Sequence, residues 1–359
     1  MRGIFRIKEW LLLIWLIGAV LFVAACTDQK IIKGLNPAEQ VSQQQEQVYT
    51  EDLELALGEE LKTSATLAEK GFNEVGKIMI LMYHVIGADQ EGDWKQTSEN
   101  FRRDLDTLYR EGYYLTDLMD YVDNNISVPA GKTPVILTFD DSTAGQFRYL
   151  IKEDGTLELD PECAVGILLD FAGRNPDFGC AATFYINSEP FGQRRYWQEK
   201  LQKLVEWGFS IGNHTFTHQK LNKLDAVGVQ KEIALIAKAV EEAVPGYKIR
   251  SFSLPYGISP QDKKLVQRGE YSGYEYENSA VLRVGAAPGS SPNTIGYDSL
   301  ALPRVQASSI ELEKWLNYFR DNPTEKYISD GDPEIITIPE SKSEMLDEQR
   351  IQGKKVQTY

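Results

Sequence analysis

Histidine is scarce in this 359-residue chain: there are three, and none follows His218. Cysteine is equally rare, again three, with no CxxC pair and no cysteine–histidine cluster. That removes the ground for a thiolate zinc site. No Ser-His-Asp arrangement presents itself, so serine-hydrolase chemistry is not the expectation. No internal repeat is visible, which argues against a solenoid or propeller. Positive charge is also short, with 38 Lys and Arg against 53 Asp and Glu and a formal net charge of -15. No basic stripe offsets this, so nucleic acid is not an expected partner. Apolar residues at 42% and charged residues at 25% are ordinary for a folded chain. The length suits one large domain or two small ones.

The N-terminus reads as an export signal. Arg2, Arg6 and Lys8 precede an apolar stretch from Trp10 to Ala25, which is short for a spanning helix. It closes on Val23-Ala24-Ala25-Cys26, a pattern similar to a bacterial lipobox. The expectation is a signal peptide over 1–25, lipidation at Cys26, and a body exported and lipid-anchored to the outer face of a bacterial membrane. An uncleaved anchor helix is the alternative. An acidic body needs such an anchor, because charge will not hold it to an anionic surface. Residues 26–76 are polar and read as a tether. Cys163 and Cys180 are left; export permits a disulfide between them, but spacing does not establish one.

From Ile78 onward strand and helix signals alternate. Strands are expected at Ile78–Tyr83, Pro134–Phe139, Cys180–Ile186, Phe209–Ile211, Arg250–Leu254 and Ala280–Ala286. Helices are expected near Glu99–Glu111 with Ser98 as N-cap, Tyr196–Trp207, Asp225–Val244, and from Ser259-Pro260. A long polar insertion covers about 142–179, and 322–359 reads as an irregular tail. This alternation suggests an α/β barrel or a doubly wound sheet. Four chemistry-bearing groups, His84, Asp140-Asp141, Asn213-His214 and Pro255-Tyr256, fall just past strands. That favours a barrel rim, where functional residues collect at the C-terminal strand ends.

His214 and His218 stand four apart, a spacing that can put two imidazoles on one face. Alone, such a pair is more often a core or capping feature than a metal site. Asp140-Asp141 alone often caps a helix. The order Asp-Asp, His-x-x-x-His, Pro-Tyr-Gly is more specific, and it resembles the polysaccharide deacetylases, the NodB-homology carbohydrate esterases, over roughly residues 77–305. The resemblance implies a distorted (β/α) barrel of seven strands over a catalytic domain at 77–321. By it Asp140 is the general base, Asp141, His214 and His218 hold a divalent metal, and the backbone N–H of Tyr256 helps hold the oxyanion. Pro255 and Tyr256 border the substrate. Zinc is the expected ion, with cobalt, nickel or manganese as alternatives.

Two departures stand out. Typical members carry an arginine before Pro-Tyr-Gly that pairs with the catalytic aspartate; here that position is Ser253. Arg304 and Arg250 are the candidate replacements. Typical members also carry an acid histidine near the C-terminus. Here only His84 is available, and Leu81-Met82-Tyr83-His84 resembles a permuted subgroup that includes exported poly-N-acetylglucosamine deacetylases. The expected substrate is an acetylated polysaccharide, with Tyr149, Tyr185, Trp197 and Tyr256 as candidate sugar-stacking aromatics. An O-acetyl esterase, or a glycan-binding module with weakened catalysis, remains open beside the de-N-acetylase.

Overall fold

The computed structural model describes residues 63–359 except residue 286. The expected signal peptide, Cys26 and the expected tether up to residue 62 lie outside the described residues. No helix among those described is long and apolar enough to cross a membrane. Residues 66–359 form one compact unit.

Eight strands make one sheet: β1 (Met79–Tyr83), β2 (Tyr113–Leu115), β3 (Thr133–Phe139), β4 (Thr183–Ile186), β5 (Ser210–Asn213), β6 (Ser251–Ser253), β7 (Ala280–Leu282) and β8 (Val305–Gln306). The order is β7-β6-β5-β4-β3-β1-β8, every pairing is parallel, and β2 adds to β3. The ends of this seven-strand path meet. Leu302, just before β8, bridges Leu282 in β7, and its N–H donates to the Val281 carbonyl at 2.9 Å. Gly285 permits the closure, because a Cβ there would meet the Arg304 backbone at 2.0 Å. The expected seven-stranded barrel is present, distorted by β2 and by the two-residue β8.

Strand periodicity explains what faces the barrel interior. Met79, Leu81, Tyr83, Val135, Leu137 and Phe139 pack outward in the main core with α1 (Ser98–Arg110), α3 (Ala164–Arg174) and α7 (Ser309–Asp321). The alternate residues Ile78, Ile80 and Ile136 pack inward with Tyr185, Ala280 and Leu282. Continuing the two-residue count places Asp140 on the inner face after Ile136 and Thr138. It does the same for His84 after Ile80 and Met82. Ser253 shares the inward parity because Phe252 and Leu254 pack outward.

Helix ends differ from expectation where caps decide. α1 starts at Ser98 with Thr97 as N-cap, its side chain accepting the Asn100 N–H. The remaining helices are α2 (Leu118–Val122), α4 (Trp197–Glu206), α5 (Ala226–Ala243) and α6 (Lys264–Gln267). Asp225 caps α5. No helix opens at Ser259-Pro260; α6 starts later, where Asp262 accepts the Lys264 N–H. The expected polar insertion 142–179 is part of the body. It contains a hairpin, Tyr149–Ile151 with Leu157–Leu159, and α3, whose Val165, Ile167, Leu168 and Phe171 are buried in the main core.

Both ends of the expected domain also shift. Phe72 and Val75 are buried, and Asn73 pairs with Ile328, so the folded body begins before residue 77. The stretch 322–359 is not irregular throughout. Ile335–Ile338 pairs in parallel with Lys355–Thr358, and Ile336 and Ile338 pack on Val75. Glu74 ties the two together, accepting from the Tyr327 hydroxyl at 3.0 Å and the Thr337 N–H at 2.9 Å. Cys163 and Cys180 are both free; Cys163 is buried at the N-cap of α3.

Candidate active site

The mouth of the barrel collects the residues singled out in the sequence. Asp141, His214 and His218 meet through three atoms. His214 Nε2 lies 3.2 Å from Asp141 Oδ1, His218 Nε2 lies 3.2 Å from the same oxygen, and the two Nε2 atoms are 3.2 Å apart. A tetrahedral ion with bonds of ~2.0–2.1 Å separates its ligand atoms by about 3.3 Å. The triangle therefore has the edge length of one face of such a site. The tautomer fits too. His214 Nδ1 stands 2.9 Å from the Ser253 carbonyl, to which it donates, which leaves the Nε2 lone pair for a metal. Two imidazoles and one carboxylate leave a fourth position open, the donor set of a catalytic site rather than a structural one.

Asp140 lies beside this triangle and is fully buried. Arg304 grips it bidentately, Nη1 to Oδ1 and Nη2 to Oδ2, both at 2.7 Å. Ser253 Oγ donates to Asp140 Oδ2 and accepts from Arg304 Nη2, each at 2.9 Å. Burial alone would raise the Asp140 carboxyl, but the Arg304 guanidinium and the nearby His214 overcome it and hold the group well below the usual carboxylate range. Arg304 reaches Asp140 from the closing edge of the barrel, at the start of β8. Arg250, the other candidate, pairs with Asp123 at 2.7 and 2.9 Å on the exposed surface. It has no part in the site.

His84 ends β1. Its ring packs edge-on against Trp94, with centroids 4.8 Å apart. Burial pushes its imidazole below the ordinary range, against the pull of Asp140 and Asp141. Gln146 ties its strand to β3, donating from Nε2 to the His84 carbonyl at 2.7 Å and the Asp140 carbonyl at 2.6 Å. Pro255 is buried, whereas the Tyr256 ring is exposed and leans on His218 at 4.7 Å.

The backbone is strained at the motifs. Among the described residues, eight non-glycine residues have positive φ, and Asp141, Ser142, Thr215, His218 and Tyr256 are five of them. Such conformations persist only where surroundings hold them, and they cluster at functional sites. The holding groups are visible. Asn187 Nδ2 donates to the Asp141 carbonyl at 3.1 Å. Asn213 Oδ1 accepts the Thr215 N–H at 2.9 Å. Glu232, on α5, takes the Thr217 N–H and hydroxyl, both at 2.7 Å. The buried Thr215 hydroxyl in this loop has no hydrogen-bond partner among the described residues. Sequence reading missed Glu232, Asn187 and Gln146, since none lies in a motif. Tyr149 and Tyr185 are buried and offer no face to a sugar.

Comparison with known proteins finds similar chains. The family model for polysaccharide deacetylase matches residues 176–276. YxkH of Bacillus subtilis (strain 168), named for polysaccharide deacetylase, is 24% identical over 306 residues, covering 84% of this chain and 94% of that protein. A chitin deacetylase of Arthroderma benhamiae is 25% identical over 122 residues, 34% of this chain and 27% of its own length. Among solved structures, the Streptococcus pyogenes deacetylase PplD in complex with acetate superposes with a TM-score of 0.50 at 18% identity, covering 68% of this chain and 98% of that one. A polysaccharide deacetylase structure from Bacillus anthracis gives a TM-score of 0.50 at 20% identity, covering 67% and 69%. These two structures are similar in fold.

Proposed function

For this chain, which belongs to the polysaccharide deacetylase family, we propose metal-dependent removal of N-acetyl groups from a polysaccharide outside the cell. The observation that carries the reading is the Asp141–His214–His218 triangle set beside an arginine-clamped Asp140. A divalent ion held by those three residues would supply a Lewis acid and a water acidified toward neutral pH. The donor set suits zinc, and cobalt, nickel or manganese would also be accepted.

The chain's own groups then divide the proton work of amide hydrolysis. Asp140, kept ionised by Arg304, takes the proton of the attacking water. The water oxygen bonds to the acetyl carbon, and the Tyr256 backbone N–H serves the developing oxyanion. His84 gives a proton to the departing nitrogen as the C–N bond breaks, leaving acetate and a free amine. Arg304 places beside Asp140 the guanidinium that Ser253 lacks, which removes one support for a glycan-binding module with weakened catalysis. The guanidinium is supplied from another strand.

Location follows from the N-terminal sequence alone. A lipid on Cys26 would hold the body at the outer face of a bacterial membrane, facing its glycan substrate. The test of the reaction is product analysis on N-acetylglucosamine oligomers. Acetate and free amine are expected in equal amounts. Acetate released only from O-acetylated glycan would assign the esterase instead.

A further inference from the structure

The loop between β1 and α1 carries an aromatic residue that the reading above leaves unused. Trp94 packs its ring against His84 at an interplanar angle of 64° and remains 46% exposed. The loop beneath it is pinned. The Trp94 carbonyl accepts the Val85 N–H at 3.1 Å, and Gln96 Nε2 donates to the Ala307 carbonyl at 2.5 Å. Glu91 accepts the Ser309 N–H at 2.8 Å and hydroxyl at 3.0 Å, and Asn100 Nδ2 at 2.9 Å. The Gln306 side chain donates to the Asp93 carbonyl. An exposed indole is thus fixed in place before any ligand arrives, and preorganisation of this kind lowers the cost of binding.

A second exposed ring stands across the mouth. Tyr256 is 55% exposed and leans on His218. It follows β6, whereas Trp94 and His84 follow β1. In the closed ring β7 and β8 lie between those strands on one side, and β3, β4 and β5 on the other. The two rings therefore flank the catalytic residues from opposite walls. A pyranose presents a C–H face to such a ring while its hydroxyls stay wet.

Building on the deacetylase reading, we propose that Trp94 is a sugar-binding platform. With Tyr256 it holds a chain of N-acetylhexosamines across the mouth. The protein then acts on sugars within a chain in preference to a single sugar.

The test compares wild type, Trp94→Ala and Trp94→Phe on the N-acetylglucosamine monomer and tetramer, with metal content measured on each preparation. Wild type should favour the tetramer by about ten-fold or more in kcat/KM, the worth of one added aromatic contact with its buried area. Trp94→Ala should keep the metal, lose about ten-fold on the tetramer mainly through KM, and shrink the tetramer preference; Trp94→Phe should restore most of it. Equal losses on both substrates would reduce Trp94 to a structural role. A tetramer rate within about two-fold of wild type, or no rescue by phenylalanine, would overturn the platform. A wild type that releases no amine from either substrate fails the deacetylase reading itself and takes this inference with it. Wild-type turnover with an indifferent Trp94→Ala would sink the inference alone.

Discussion

Arg304→Met is the perturbation from which the geometry predicts most. It keeps the apolar stem of a fully buried side chain and deletes its charge. Asp140 then loses two 2.7 Å charge-assisted hydrogen bonds and keeps one from Ser253. Stranding a buried charge by removing its partner costs about 3–5 kcal/mol. Unfolding entropy near ~2.1 cal/mol/K per residue, over roughly 290 residues of the compact unit, gives ~0.6 kcal/mol/K. The melting midpoint should therefore fall by about 5–8 °C. Arg304→Lys should lie between the two, because an ammonium keeps the charge and loses the planar fork. Turnover should fall further than stability implies, because the base loses its orientation, and the loss should persist at temperatures where the variant is fully folded. Differential scanning fluorimetry with single-temperature kinetics reads both. A midpoint within about 2 °C of wild type, with turnover within about three-fold, would refute the clamp.

His84→Asn should keep fold and metal while turnover falls by roughly 10²–10⁴-fold, the usual worth of a positioned acid; full metal with a near-normal rate would remove His84 from the chemistry. Ser253→Ala breaks one hydrogen bond to Asp140 and one from Arg304, so thermal denaturation should show a loss of about 1–2 kcal/mol. Glu74 is raised to about 8, first by burial and then by Asp330. The folded state therefore holds a proton that the unfolded chain has released, and stability should fall as pH rises from the ordinary Glu range to about 8. Glu74→Gln should flatten that slope in thermal scans across pH, and an unchanged slope would count against the assignment. Mass spectrometry of the membrane fraction should find an N-terminal peptide beginning at an acylated Cys26, whereas an unmodified Cys26 would remove the anchor.

What could be read from sequence was what strand periodicity and motif order carry. Asp140, His84, His214 and Ser253 share the inner face because side chains alternate along parallel strands, and each sits at or just past a strand end. The clamp on Asp140 was legible only as a choice between Arg250 and Arg304. Deciding it requires knowing that the chain returns after β7 to close the barrel through a strand of two residues. Trp94 gave no signal, since its loop has no periodicity and its anchors, Ala307 and Ser309, are some two hundred residues away. Glu232 looked like an ordinary helix residue, and only the fold brings it beneath Thr217. The parallel ladder at Ile335–Ile338 was missed although Ile335-Ile336-Thr337-Ile338 is β-prone, because its partner is a polar run, Lys355–Thr358, at the chain end.

The central claim is a metal-dependent amidase built on Asp141, His214 and His218. The most direct measurement is metal content and amine release, determined together on one preparation each of wild type and His214→Ala. Wild type should carry about one divalent ion per chain and release amine from N-acetylglucosamine oligomers; His214→Ala, short of one of three protein ligands, should lose most of the metal and the activity together. Stoichiometric metal retained by His214→Ala, or amine release from wild type stripped of metal, would contradict the account.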